Sequence, residues 1–210
     1  MKASKGFMLA AALISVSLPT PATAELNYDA ISLGYGTISE SGWPDMTVYL
    51  FGITKSISNN AFVGASYERD TQPTGTGFGD ITGSSFALDI GYHTPLKENT
   101  DLIFSGGLMN GSADFAGISA SSNGYHLSAG IRAELAPKLV GEVGFGYANT
   151  NTSILGSTST TTSTGLNASI GFRVTPELEL IAAIGSATHT PQAGGSYSTS
   201  LLGFEAKIYY

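Results

Sequence analysis

The stretch from Gly124 to Tyr147, GYHLSAGIRAELAPKLVGEVGFGY, limits the possible folds more than any other part of the chain. Its first limb sets Tyr125, Leu127, Ala129, Ile131 and Ala133 on one face and His126, Ser128, Gly130, Arg132 and Glu134 on the other. The second limb sets Leu139, Gly141, Val143, Phe145 and Tyr147 against Val140, Glu142, Gly144 and Gly146. Period-two alternation over about ten residues is a β-strand with two unlike faces. Strands of globular proteins usually run about 5–6 residues, so these limbs are long. Leu135-Ala136-Pro137-Lys138 between them leaves room only for a tight turn. The stretch is a β-hairpin of membrane-spanning length.

The rest of the chain repeats it. Alternating strands are predicted at about 26–38, 46–56, 61–69, 82–93, 101–110, 124–134, 139–147, 166–174, 178–187 and 201–210. Strand two is apolar on both faces; Tyr49, Phe51 and Ile53 are placed outward because Gly52 and Thr54 then point in. Turn prolines at Pro95, Pro137 and Pro176 recur at intervals of about 40 residues. A propeller blade would pack four short strands into that length, and no such pattern is present. Short turns alternate with longer polar segments, of which 111–122 and the Ser/Thr tract 149–164 are read as loops. The expected fold is all-β: a transmembrane antiparallel up-and-down β-barrel of ten strands, with eight as the alternative. Tight turns are expected at the periplasmic side, together with both termini, and longer loops outside.

The first 24 residues are read as a cleaved leader. Lys2 and Lys5 precede an apolar run from Phe7 to Leu18, and Ala22-Thr23-Ala24 is a small-x-small cleavage site. The expected organisation is a signal peptide at 1–24 and a barrel domain at 25–210. Beyond that leader no run approaches the length of a spanning helix. Nine Lys and Arg, less Lys2 and Lys5, stand against sixteen acidic residues; the resulting −9 argues against nucleic-acid partners. Zero cysteines exclude disulfides and thiolate metal sites.

Segregation of charge sets the register. Charges near the midplane of a lipid-facing surface cost about 2–4 kcal/mol for Arg or Lys. The charges therefore belong inside, and Asp89, Arg132, Glu134, Glu142, Arg173, Glu179, Glu205 and Lys207 are expected to form a lumenal ion-pair network that plugs the barrel. Inward glycines at 34, 36, 91, 130, 144, 146, 171 and 203 leave room for water, which keeps a narrow pore as the competing reading. Aromatic girdles are expected, with Tyr28, Tyr92, Phe172 and Tyr210 at one end and Tyr35, Trp43, Tyr67, Tyr125, Tyr147 and Tyr197 at the other.

With its leader, ten alternating strands, Thr-Pro-x-Leu-type turn and final aromatic strand, the chain resembles the small outer-membrane β-barrel superfamily, which includes the OmpX/OmpA-like and opacity-type barrels. The resemblance covers residues 25–210 and implies integral residence in the outer membrane of a Gram-negative cell. It implies contact with outer-membrane lipid and lipopolysaccharide, and handling by periplasmic chaperones and the barrel-assembly machinery. Phe204, Ile208 and Tyr210 on the last strand resemble the C-terminal assembly signal of such barrels. The resemblance implies no single activity.

His126-Leu127-Ser128 is similar to the His-x-Ser dyad of lipid A 3-O-deacylases, but Ala129 follows where that pattern has Asn, and the pair is expected to face the lumen. Asp70, Asp80, Asp114 and His189 are placed on outer loops and read as solvated charges, without the rim motif of omptin-like proteases. His93, His126 and His189 show no metal-ligand spacing, and Gly75–Gly79 lacks the following helix a phosphate cradle needs. No catalytic residue, cofactor or metal is expected. The expected role is envelope structure or surface contact through the loops, with a small porin-like channel as the alternative and a lipid A-modifying enzyme as a remote one.

Overall fold

The structure, a computed structural model, describes residues 29–74, 79–97, 99–192 and 194–210. The expected leader, Tyr28 and residues 75–78 of the glycine loop lie outside the described residues. Ten strands follow in order: β1 (Ala30–Glu40), β2 (Met46–Ser56), β3 (Ala61–Gln72), β4 (Ile81–Lys97), β5 (Thr100–Phe115), β6 (Ile118–Ala136), β7 (Leu139–Ile154), β8 (Ser157–Arg173), β9 (Leu178–Pro191) and β10 (Tyr197–Tyr209). Each pairs antiparallel with its chain neighbours, and β1 pairs with β10 from Ala30↔Tyr209 to Glu40↔Thr199, so the sheet closes. Closure leaves no strand edge, the condition for placing a sheet in hydrocarbon.

The rim that holds the start of β1 and the end of β10 is termed the terminal rim, and the opposite one the far rim. Asp29 fastens the seam at the terminal rim. Its carbonyl accepts from Tyr210 N at 3.0 Å, its Oδ1 accepts from Ser56 N at 2.7 Å, and its carboxylate pairs with Lys55.

The exterior follows the expected alternation. Leu33, Tyr35, Tyr49, Phe51, Ile53, Leu88, Ile90, Leu127, Val143, Phe145, Leu166, Ile184 and Phe204 all point out and are exposed. Toward the far rim the band ends in tyrosines, with Tyr35 against Tyr49 (ring centroids 5.5 Å apart) and Tyr125 near Tyr147 (6.2 Å). At the terminal rim Tyr92, Phe172 and Tyr210 occupy the matching positions. Strand two is oriented as expected, with Met46, Val48 and Gly52 buried inward. Tyr197 departs from the expectation: it turns inward and stacks on His189 at 4.8 Å.

Two expected loops are strand. Residues 111–122 and 149–164 continue β5–β6 and β7–β8 in register to Phe115↔Ile118 and Ile154↔Ser157. The Ser/Thr tract is polar on both faces, yet threonine is β-branched and an existing ladder needs no apolar face to be prolonged. Each hairpin closes on two residues of positive φ, Ala116 (49°)–Gly117 (80°) and Leu155 (50°)–Gly156 (81°), the backbone of a type I′ turn. The four strands therefore stand well above the tyrosine girdle as a wall. The expected turn at 94–99 likewise shortens, since β4 runs on to Lys97 through a bulge after Pro95.

The lumen as candidate functional site

Inward side chains from every strand fill the lumen in layers. The layer nearest the terminal rim is ionic. Glu179, fully buried on β9, accepts from Arg132 Nη2 at 3.3 Å and from Tyr209 Oη at 3.1 Å, and Arg173 Nε lies 3.8 Å away. Glu142 is opposite Arg132 in the β6–β7 register and buried with it, while Lys207 Nζ lies 3.8 Å from Glu205 Oε1. A cross-strand glycine makes space for Glu179: a Cβ on Gly171 would lie 2.1 Å from its Oε1.

Two residues assigned to this network from sequence are elsewhere. Asp89 pairs with His126, Oδ1 to Nε2 at 2.5 Å, by reaching across β5 above Gly107. Gly107 is the saddle, because a Cβ there would lie 2.6 Å from Asp89 Oδ1 and 2.8 Å from His126 Cε1. Glu134 is half-buried at the β6 bulge and takes part in no ion pair among the described residues. Tyr209 completes the Glu179 site without being among the charged residues of the expected network; its inward place follows from the alternation that sets Ile208 outward.

The glycines are not open space throughout. Phe62 is wholly buried, and a Cβ on Gly91 would lie 1.8 Å from its Cζ, so its ring fills the lumen over that glycine. His93 closes the same end, with Nε2 2.9 Å from Asn59 O. His126 and Ser128 both point into the lumen and are buried; Ser128 Oγ lies 2.5 Å from Ser105 Oγ. The His-x-Ser pair therefore presents no nucleophile to lipid.

Toward the far rim the lumen holds an apolar cluster of Ile38, Met46 and Val48 with Tyr197 and Leu201 against it. Asp70 and His189, expected on solvated loops, are here as inward strand residues exposed by only 1% and 0%. Their outward neighbours Arg69, Thr71, Thr188 and Thr190 are polar, which sets this layer beyond the apolar band. His189 is held by Ser163 Oγ on Nδ1 at 2.8 Å and Thr199 Oγ1 on Nε2 at 3.0 Å. Neither oxygen of the Asp70 carboxyl has a hydrogen-bond partner among the described residues. Its cross-strand neighbours are Val48 and Gly83, and on its own strand Glu68 and Gln72 flank it.

Burial pushes the Asp70 carboxyl from 3.8 up to about 6 and His189 from 6.5 down to about 4. The two act in opposite senses. A raised carboxyl stabilises the folded state most below about pH 4 and loses that contribution as pH rises through 6. A depressed histidine contributes fully above about pH 6.5 and loses it as pH falls toward 4. Each is worth on the order of 2–3 kcal/mol, so between pH 4 and 6 they largely cancel. Asp70→Asn is expected to expose the histidine, with stability falling on acidification, and His189→Gln to expose the carboxyl, with stability rising. Urea midpoints of the detergent-folded barrel from pH 4 to 7 test this; superimposable profiles for Asp70→Asn and wild type would refute it.

No group of three or more His, Cys, Asp or Glu among the described residues could hold a metal ion. A closed ten-strand antiparallel barrel with an apolar exterior and a charged, filled interior defines a transmembrane β-barrel. The chain belongs to the outer membrane protein beta-barrel domain family, whose pattern it matches over residues 8–173. It is thus an outer-membrane β-barrel protein. Among solved structures it is similar to an outer-membrane channel from Pseudomonas putida F1, at 9% identity and TM-score 0.57, covering 94% of this chain and 100% of that one. The beta domain of the Bordetella autotransporter BrkA is similar at 16% identity and TM-score 0.55, covering 86% and 97%. The outer-membrane protease OmpT from Escherichia coli matches at 9% identity and TM-score 0.49, covering 87% and 94%. At these identities the likeness shows the fold alone. No curated protein matches the sequence.

Proposed function

We propose that the protein is a non-conducting, non-enzymatic barrel that serves the outer membrane structurally and makes surface contacts through the wall formed by β5–β8. One observation carries this: the centre of the lumenal charge network is shut off from bulk solvent. Arg132, Glu142, Glu179 and Lys207 are exposed by 3%, 6%, 0% and 3%. The lining of a conducting path must be hydrated, and a ten-stranded barrel lies near the size that its own side chains fill. The far rim, with the taller hairpins, is taken as external and the terminal rim as periplasmic, in keeping with the usual asymmetry of loops and turns. In this reading the apolar band contacts lipid, and the girdle and the polar residues above it meet lipopolysaccharide. Phe204, Ile208 and Tyr210, all outward and exposed, offer the face on which periplasmic chaperones and the barrel-assembly machinery would act.

The channel reading has the Pseudomonas putida relative in its favour, since that protein is described as a channel. Planar-bilayer recording of the purified protein separates the two. The expected result is a silent bilayer, whereas stable unitary currents would establish the pore.

A further inference from the structure

Between the ionic layer and the apolar cluster lies a chamber of about 110 Å³. Glu142, Glu205 and Lys207 form its floor, Asn167 and Ser169 stand on one wall, and Val48 and Leu201 lie on the side of the apolar cluster. Gly34 and Gly203 also border it, and the absence of a side chain on Gly203 leaves room there. Unlike Gly91 and Gly171, Gly203 is not overlaid, because a Cβ there would come no closer than 3.7 Å to its nearest neighbour.

The floor contains polar atoms that the protein itself does not satisfy. Glu142 Oε2 and Glu205 Oε1 are buried without a hydrogen bond, and in the layer beneath so are Arg132 Nε and Nη1 and Glu179 Oε1. Acceptors and donors are thus both left over. An ion would satisfy only one of the two kinds. Water donates and accepts, and buried water is held where two to four polar partners converge. At about 30 Å³ per molecule, the chamber takes three or four.

We propose that this chamber is a binding site for a cluster of three or four long-lived water molecules, bound to Glu142, Glu205, Lys207, Asn167 and Ser169. The lumenal charge network is then wet, and its carboxylates are solvated by fixed water instead of by direct ion pairs alone. The site rests on the closed-lumen reading, since a lumen open at either rim would exchange its water with bulk.

Water-edited NMR on the full barrel in lipid nanodiscs tests it, with xenon as the probe of a dry cavity. The expected result is persistent transfer from slowly exchanging water to the amides of Ser169 and Gly203, with no xenon-induced shifts there. Glu142→Leu is expected to abolish that transfer and Glu142→Gln to retain it. If the leucine variant does not fold, the wild-type spectra still decide. Xenon uptake without water transfer would mean a dry chamber and overturn the inference while leaving the lumen closed. Water exchanging at bulk rates, together with bilayer conductance, would overturn the closed lumen and the inference with it.

Discussion

Gly91→Ala is expected to cripple folding of the barrel although it adds a single methyl group. In a strand, backbone entropy alone would favour alanine over glycine by about 0.5–1 kcal/mol. Here the new Cβ would sit 1.8, 2.2 and 2.5 Å from three ring carbons of Phe62. That ring is wholly buried, so it can give way only by displacing its neighbours. Overpacking of this kind costs about 1–3 kcal/mol and sometimes more, so the clash outweighs the backbone gain. Gel migration with and without heating, and urea unfolding in detergent, measure the folded fraction. Phe62→Leu combined with Gly91→Ala is expected to be more stable than Gly91→Ala alone, because the smaller side chain vacates the space. A Gly91→Ala barrel with the wild-type urea midpoint would show that the lumen is looser than described.

Glu179→Ala carries the second large effect. This carboxylate is the common acceptor of Arg132 and Tyr209, with Arg173 beside it. Its removal leaves buried guanidinium groups short of a counter-charge, and breaking a buried pair from one side costs about 3–5 kcal/mol. Glu179→Gln keeps an acceptor for Tyr209 but loses the charge, and is expected to fall between alanine and wild type. The double variant Arg132→Met, Glu179→Leu is expected to recover much of the loss, because an apolar pair of similar volume avoids the desolvation of both charges. If Glu179→Ala shifts the urea midpoint no more than a surface substitution would, the network does not hold the lumen together.

Strand count and the inward or outward sense of most strands were expected from period-two alternation, and closure of the sheet from the need to pair every backbone group in hydrocarbon. The reason is physical: a one-residue slip would turn Arg132, Glu142 or Lys207 into lipid, so the pattern has one tolerable register. The ends of the strands were less legible. The tract 149–164 has no apolar face, and only its pairing with neighbouring strands makes it strand. Asp70 and His189 were misplaced for the same cause. They stand past the last apolar residue of their strands, where alternation in hydrophobicity stops but alternation in direction does not.

Which inward side chains meet was decided by the closed barrel alone. Alternation says that Asp89, His126, Arg132 and Glu179 all face the lumen, but not that Asp89 passes over Gly107 to His126 while Glu179 joins Arg132. Those pairings depend on stagger between strands distant in sequence and on which cross-strand neighbour is a glycine. From sequence the inward glycines were gaps. In the barrel Gly91 and Gly171 are seats for Phe62 and Glu179, whereas Gly203 borders a chamber. Local alternation determines the direction in which each side chain points, because the β-strand backbone enforces it. Whether the interior is filled or hollow is set by volumes contributed from strands on opposite sides of the barrel, and only their closure brings those volumes together.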